Sequence, residues 1–85
     1  MIIETKYGIN RKVWVVIENE TKGTTEVFTD EIAYITYDGE TVSYYMKTVD
    51  EEFLEEDLVP IENTQELLDK IKQVDKQVIK RYKEN

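Results

Sequence analysis

The chain contains no cysteine and no histidine. Without cysteine there is no disulfide framework and no thiolate metal site. Without histidine the commonest general base and the commonest metal ligand are both missing. Glycine occurs only at Gly8, Gly23 and Gly39, too dispersed to form a phosphate-cradling loop, and Ser43 is the single serine, with no imidazole to activate it. Proline occurs once, at Pro60. No apolar run approaches the ~20 residues that a membrane-spanning helix needs. The opening Met1-Ile2-Ile3-Glu4-Thr5-Lys6 meets an acid and a base too early for a secretory signal, so a cytoplasmic location without membrane association is expected. These shortages point away from an enzyme, and no cofactor or metal is expected.

What the chain has in plenty is acid. Its 85 residues carry a net charge of −8, which disfavours direct binding to nucleic acid. The charge is uneven: residues 1–63 hold fifteen acids and five bases, residues 64–85 four acids and six bases. The length suits one domain with a modest core, for which a partner subunit would be a useful stabiliser.

The clearest local signal is the run Ile32 to Met46. Asp38-Gly39 divides two strand-like segments and suits a tight turn with positive φ. A two-residue loop there would set Tyr37 opposite Glu40, Ile35 opposite Val42 and Ala33 opposite Tyr44. It would turn those apolar residues and Met46 inward, leaving Ile32, Tyr34, Thr36, Thr41, Ser43 and Tyr45 on the other face. Upstream, Ile2–Tyr7 reads as a short edge strand. Lys12–Glu18 is a β-branched run suited to a buried strand, and Thr24–Phe28 returns after the polar loop Asn19–Gly23. Thr29-Asp30-Glu31 breaks the apolar pattern and predicts a bend or bulge. Phe53 and Leu54 read as a short strand or a pair of core anchors after the turn Asp50–Glu52.

Pro60 cannot donate to a sheet ladder and closes the β region. Asn63 then reads as a helix N-cap, with Glu66 where a capping box wants an acid. Leu67, Ile71, Val74, Val78 and Tyr82, flanked by Leu68 and Ile79, form one apolar helical stripe. The expected fold is therefore α+β and mostly β. Four to five short antiparallel strands over residues 1–60 curl into a small SH3-like barrel, and one long amphipathic helix over residues 61–85 packs on it or projects from it.

The spaced series Lys12-Val13-Trp14, Tyr44-Tyr45, Glu55-Glu56-Asp57-Leu58 and Thr64-Gln65-Glu66-Leu67-Leu68 resembles small bacterial and phage-encoded proteins with an SH3-like barrel and a C-terminal helix. The resemblance covers most of the chain and implies a mobile-element origin and a non-catalytic role. Asn10-Arg11 stands where such proteins often carry Gly-Asp; asparagine still accepts the left-handed conformation.

Three surfaces qualify for partner binding. Trp14, Tyr34 and Tyr45 supply aromatic groups of the kind that anchor interfaces, provided the Tyr34/Tyr45 face is not covered by the helix or the first strand. The acidic run Asp50, Glu51, Glu52, Glu55, Glu56 and Asp57 lacks the ligand spacing and glycine of a calcium loop. It reads either as a solvated turn or as a phosphate mimic that would block a nucleic-acid-binding protein, in the manner of an anti-CRISPR inhibitor. Val78, Ile79 and Tyr82 would support a homodimer if the end of the helix projects. A protein-binding module is the leading expectation, with the acidic inhibitor and the structural homodimer as alternatives.

Overall fold

The computed structural model describes residues 4–83. Five antiparallel strands, β1 (Lys12–Asn19), β2 (Thr24–Tyr37), β3 (Val42–Met46), β4 (Glu52–Leu54) and β5 (Leu58–Pro60), form one sheet in the order β4-β3-β2-β1-β5. A 3₁₀ turn, Glu55–Asp57, joins β4 to β5. Helix α1 (Thr64–Val78) follows and ends in a π-helical turn, Ile79–Lys83. The protein is thus a small α+β domain with an antiparallel sheet and a C-terminal helix, and the sheet is open between β4 and β5.

Alternation along β1 explains the two cores. Val13 and Val15 point inward and join Tyr7, Ile32, Tyr44, Met46, Phe53 and Leu58 on the concave face. Trp14 and Val16 point outward, where Val16 and Val59 are buried against Val74 and Val78 of the helix, with Trp14, Leu67, Ile71 and Tyr82 packed around them. A sheet buried on both faces in this region needs near-continuous apolar sequence, which Val13-Trp14-Val15-Val16-Ile17 supplies.

The bend comes slightly later than the sequence indicated. β2 is one 14-residue strand, and its register with β3 shifts between Ile32 and Tyr34. This bulge turns Ile32 inward, opposite Met46, so Ile32 is fully buried rather than on the outer face. Thr29-Asp30-Glu31 stays in the ladder with β1, and Asp30 is itself buried at 6% exposure. Its Oδ2 accepts the backbone N–H groups of Thr48 (3.3 Å) and Val49 (3.1 Å), and Oδ1 accepts that of Glu31 (2.8 Å). A buried carboxylate with three donors pins the β3–β4 turn to the bend of β2.

The central hairpin also departs from expectation. Tyr37 pairs with Val42 and Ile35 with Tyr44, so the loop has four residues, Asp38–Thr41. Asp38 Oδ1 accepts the N–H groups of both Glu40 (3.0 Å) and Thr41 (2.8 Å), and Gly39 takes φ +99°. The carboxylate stabilises a longer turn than the dipeptide alone would dictate. Because the slip is two residues, Val42, Tyr44 and Met46 keep their inward direction, whereas Tyr37 is exposed at the hairpin end.

No strand forms over the described residues of Ile2–Tyr7; Ile2 and Ile3 lie outside them. Instead Tyr7 is buried between the two ends of the sheet. Its ring meets that of Tyr44 edge-on at 5.7 Å, its N–H donates to the Tyr44 hydroxyl (3.4 Å), and its own hydroxyl donates to the Leu58 carbonyl (3.3 Å). Burial pushes both phenols above their ordinary ionisation range. Asn10 adopts φ +72° and donates its N–H to the Ile32 carbonyl (2.7 Å) at the bulge, the left-handed turn its side chain permits.

Helix α1 starts as its sequence indicates. Asn63 Oδ1 accepts the Glu66 N–H (3.0 Å), and Asn63 Nδ2 donates to the Glu66 carboxylate (3.1 Å). The helix contacts β1, β2 and β5. The Thr25 hydroxyl donates to Asp75, and Arg81 pairs with Glu18 at 2.9 Å, fixing the helix along the outer side of β1 and β2. Leu68, expected to pack on the sheet, is 47% exposed because it lies to the side of the stripe defined by Leu67, Ile71, Val74 and Val78.

Candidate functional site

The helix covers only half of the outer face. Beyond the bulge, β2, β3 and β4 present a second outer surface on which alternation places Tyr34, Thr36, Ser43, Tyr45, Glu52 and Leu54. The register aligns Tyr34, Tyr45 and Glu52 in one cross-strand row, and Thr36, Ser43 and Leu54 in the next. Tyr34 and Tyr45 stack with centroids 4.4 Å apart and planes 10° from parallel. Tyr34 is nevertheless 51% exposed, so among the described residues neither the helix nor the N-terminal segment covers this face.

Each ring stiffens the other. A stacked cross-strand pair contributes about 0.5–1.5 kcal/mol beyond its area. The Glu52 carboxylate beside the Tyr45 hydroxyl holds the phenol above its usual ionisation range. Lys47, just past the end of β3, pairs with Glu31 of β2 at 3.1 Å. Leu54 is also exposed, an apolar neighbour one row away. The result is a pre-ordered aromatic surface edged by a carboxylate and an ion pair.

The other candidates are distributed differently. Trp14 lies on the opposite half of the outer face, half-buried beside the helix, where its Nε1–H donates to the Ile61 carbonyl (3.3 Å). Its role there is to hold the link between β5 and α1. The acidic run does not form a single row. Asp50 and Glu51 are in the β3–β4 turn, Glu52 points to the tyrosines, and Glu55–Asp57 form the 3₁₀ turn beside the helix. Glu55 and Glu56 line a groove of 350 Å³ that also contains Lys6, Lys70, Glu66 and Asp69, a surface of mixed sign. Asp57 accepts the Leu54 N–H (3.1 Å), and its half-buried carboxyl is pushed above the ordinary range by desolvation. Among the described residues no group of three or more carboxylates is placed to hold a metal ion.

At the end of the helix, Val78 is buried and Tyr82 packs over Gly23, its Cβ 3.5 Å from where a side chain on that glycine would begin. Ile79, 43% exposed, is the member of the three that faces outward. The helix end therefore packs rather than projects, because its stripe continues far enough to reach the β1–β2 loop.

Two features of this region were not singled out from sequence. Phe53-Leu54 reads as a short strand or a pair of core anchors; it lies in the strand β4, whose alternation turns Phe53 inward and leaves Leu54 exposed. Asp30 reads from sequence only as part of an interruption, and nothing local reveals that its carboxylate serves a turn eighteen residues away.

No family model, curated protein or solved structure matches the chain. Among the described residues no helix is long and apolar enough to cross a membrane.

Proposed function

We propose that this protein is a non-catalytic protein-binding module whose working surface is the uncovered outer face of β2, β3 and β4, anchored by the Tyr34–Tyr45 stack. The observation that carries the reading is a stacked pair of large rings, Tyr34 exposed and Tyr45 half-buried, already fixed in one geometry. Rigid, amphipathic tyrosines lose little side-chain entropy on contact and supply much area, which is why they concentrate at interface centres. The partner that suits this face is a protein surface with apolar or planar groups at its centre and a donor for Glu52 at its rim.

The fold reading belongs to the same proposal. A long second strand bent at its bulge, β5 returning beside β1, and Tyr7 filling the gap between the sheet ends support a partly open SH3-like barrel. An origin in a phage or other mobile element is what the sequence resemblance adds. The alternative of an acidic inhibitor that mimics nucleic acid draws on the net charge, while the division of Asp50–Asp57 among three surroundings weakens it.

The test is affinity capture from cells of the source organism with three baits: wild type, Tyr34→Ser/Tyr45→Ser, and Asp50→Asn/Glu51→Gln/Glu56→Gln. A protein retained by wild type and by the amide variant at 0.5 M salt, and lost from the tyrosine variant, supports the aromatic face. Retention that collapses with salt or with the amide variant, and survives the loss of both tyrosines, supports the acidic reading instead.

A further inference from the structure

A second cavity lies on the inner side of the sheet, at the end away from the hairpin loop. Its volume is 440 Å³, and it opens between the β1–β2 loop and the turn that follows β3. The floor is apolar: Ile17, Phe28 and Val49 are each partly buried against the concave core, and Phe28 is braced edge-on by Phe53 at 6.1 Å. The wall is acidic. Glu18, Glu20, Glu26 and Glu51 line the mouth, and none of the described residues that line it is basic.

We propose that this mouth receives a lysine or arginine side chain from a basic segment of a partner protein. The argument is one of complementarity in shape and sign. A long basic side chain has an aliphatic stem that packs on apolar surface and a cationic head that seeks carboxylates and aromatic faces. The mouth offers those elements in that order from floor to rim. A purely apolar ligand would leave the glutamates desolvated without a partner, and an anion would be repelled.

The wall is held in place rather than loose. Asn19 Nδ2 donates to Glu26 (2.8 Å), and Asn19 Oδ1 accepts the Lys22 N–H (3.0 Å), which shapes the β1–β2 loop. Asp30 fixes Val49 through its N–H on the facing side. Glu18 is engaged by Arg81 from outside, and that guanidinium also attracts Glu20, so Glu26 and Glu51 are the groups the head would meet.

This inference concerns a surface separate from the tyrosine face, and it extends the binding-module reading by naming the charge class of the partner. The experiment is an NMR titration of the isotope-labelled full chain with end-blocked Gly-Ser-Arg-Ser-Gly, its lysine analogue, and its citrulline analogue, which keeps the shape and removes the charge. Saturable shifts centred on the amides of Ile17, Phe28 and Val49 are expected with the cationic peptides. About tenfold weakening is expected with citrulline, and likewise in a Glu26→Gln/Glu51→Gln variant, since glutamine at 26 still accepts from Asn19. Equal response to arginine and citrulline, shifts scattered over remote acids such as Glu40, Glu62 and Asp69, or no saturation by roughly 10 mM would overturn the proposal. The Tyr34→Ser/Tyr45→Ser variant should titrate like wild type. Failure at the mouth therefore leaves the aromatic face untouched, and failure of that face leaves this result standing.

Discussion

The two halves of the outer face belong to one sheet and share β2, but they differ in what lies over them. Over β5, β1 and the first part of β2, helix α1 buries Val16 and Val59 beneath Val74 and Val78. Over the rest of β2, β3 and β4, the counterpart positions hold Tyr34, Thr36, Ser43 and Tyr45, and the rings stack on one another instead of beneath a helix. Small branched side chains let a helix approach closely. Paired tyrosines stack on one another and leave the Tyr34 ring exposed. The difference teaches that the covered half is a packed interface between helix and sheet, whereas the bare half is ordered by its own ring stack and faces solvent.

Placing a charge in the covered half should have the largest effect. Val74→Asp puts a carboxylate with no partner between helix and sheet, and a loss of at least about 3 kcal/mol is expected. For a domain of this size that consumes most of the stability, so circular dichroism should show a largely unfolded chain at 25 °C. The equivalent change on the bare half, Tyr34→Asp, should leave the spectrum folded. If both unfold, the comparison fails.

The bend between the halves is the next most sensitive point. Asp30→Ala leaves the N–H groups of Glu31, Thr48 and Val49 without their acceptor, and about 2–3 kcal/mol should be lost in urea unfolding. Asp30→Asn retains one carbonyl acceptor and should lose less. Equal losses would mean that the negative charge, rather than the hydrogen bonds, holds the turn.

These contacts mark the limit of what the sequence made legible. The helix, its Asn63 cap, its apolar stripe and the left-handed turn at Asn10 follow from local chemistry and could be read directly. So could the inward direction of Val42, Tyr44 and Met46, since alternation survives an even slip of register. The loop of four residues could not, because the Asp38 carboxylate takes two backbone donors that a dipeptide rule ignores. The bulge at Ala33 reversed the direction of Ile32 for the same reason: one extra residue in a ladder is a tertiary compromise. Whether Tyr34 and Tyr45 are covered depends on where a helix thirty residues later lies down, and no periodicity within the strands encodes that. Trp14 illustrates the converse, since an aromatic suited to an interface is consumed by packing and by its bond to Ile61.

A smaller effect on stability is expected within the bare half. Tyr34→Ser removes the stack and should cost about 1 kcal/mol or less in denaturant unfolding, since Tyr34 is half exposed. A cost near that of Val74→Asp would make the tyrosines structural and remove the reason to regard them as a binding face.

The smallest expected effect is electrostatic and belongs to the 3₁₀ turn beside the helix. Burial raises the Asp57 carboxyl, whereas the N–H groups of Thr41 and Glu40 lower that of Asp38 in the exposed hairpin loop. The signs are opposite. A raised folded value means that Asp57 disfavours folding once pH exceeds both its unfolded and folded values, and the penalty disappears as pH falls through that window. A lowered value means that Asp38 stabilises above its unfolded value and loses this contribution as pH falls through the folded one. Carbon-detected NMR titration should place Asp57 above and Asp38 below the ordinary carboxylate range. The reverse order would contradict the burial assigned to the turn.

The most direct measurement of the central claim pairs two baits that are equally folded. Wild type and Tyr34→Ser/Tyr45→Ser, matched by circular dichroism, are used to capture proteins from cells of the source organism at 0.5 M salt. The account predicts a protein held by the first and absent from the second. The same protein held by both would show that the aromatic face is not where this molecule binds.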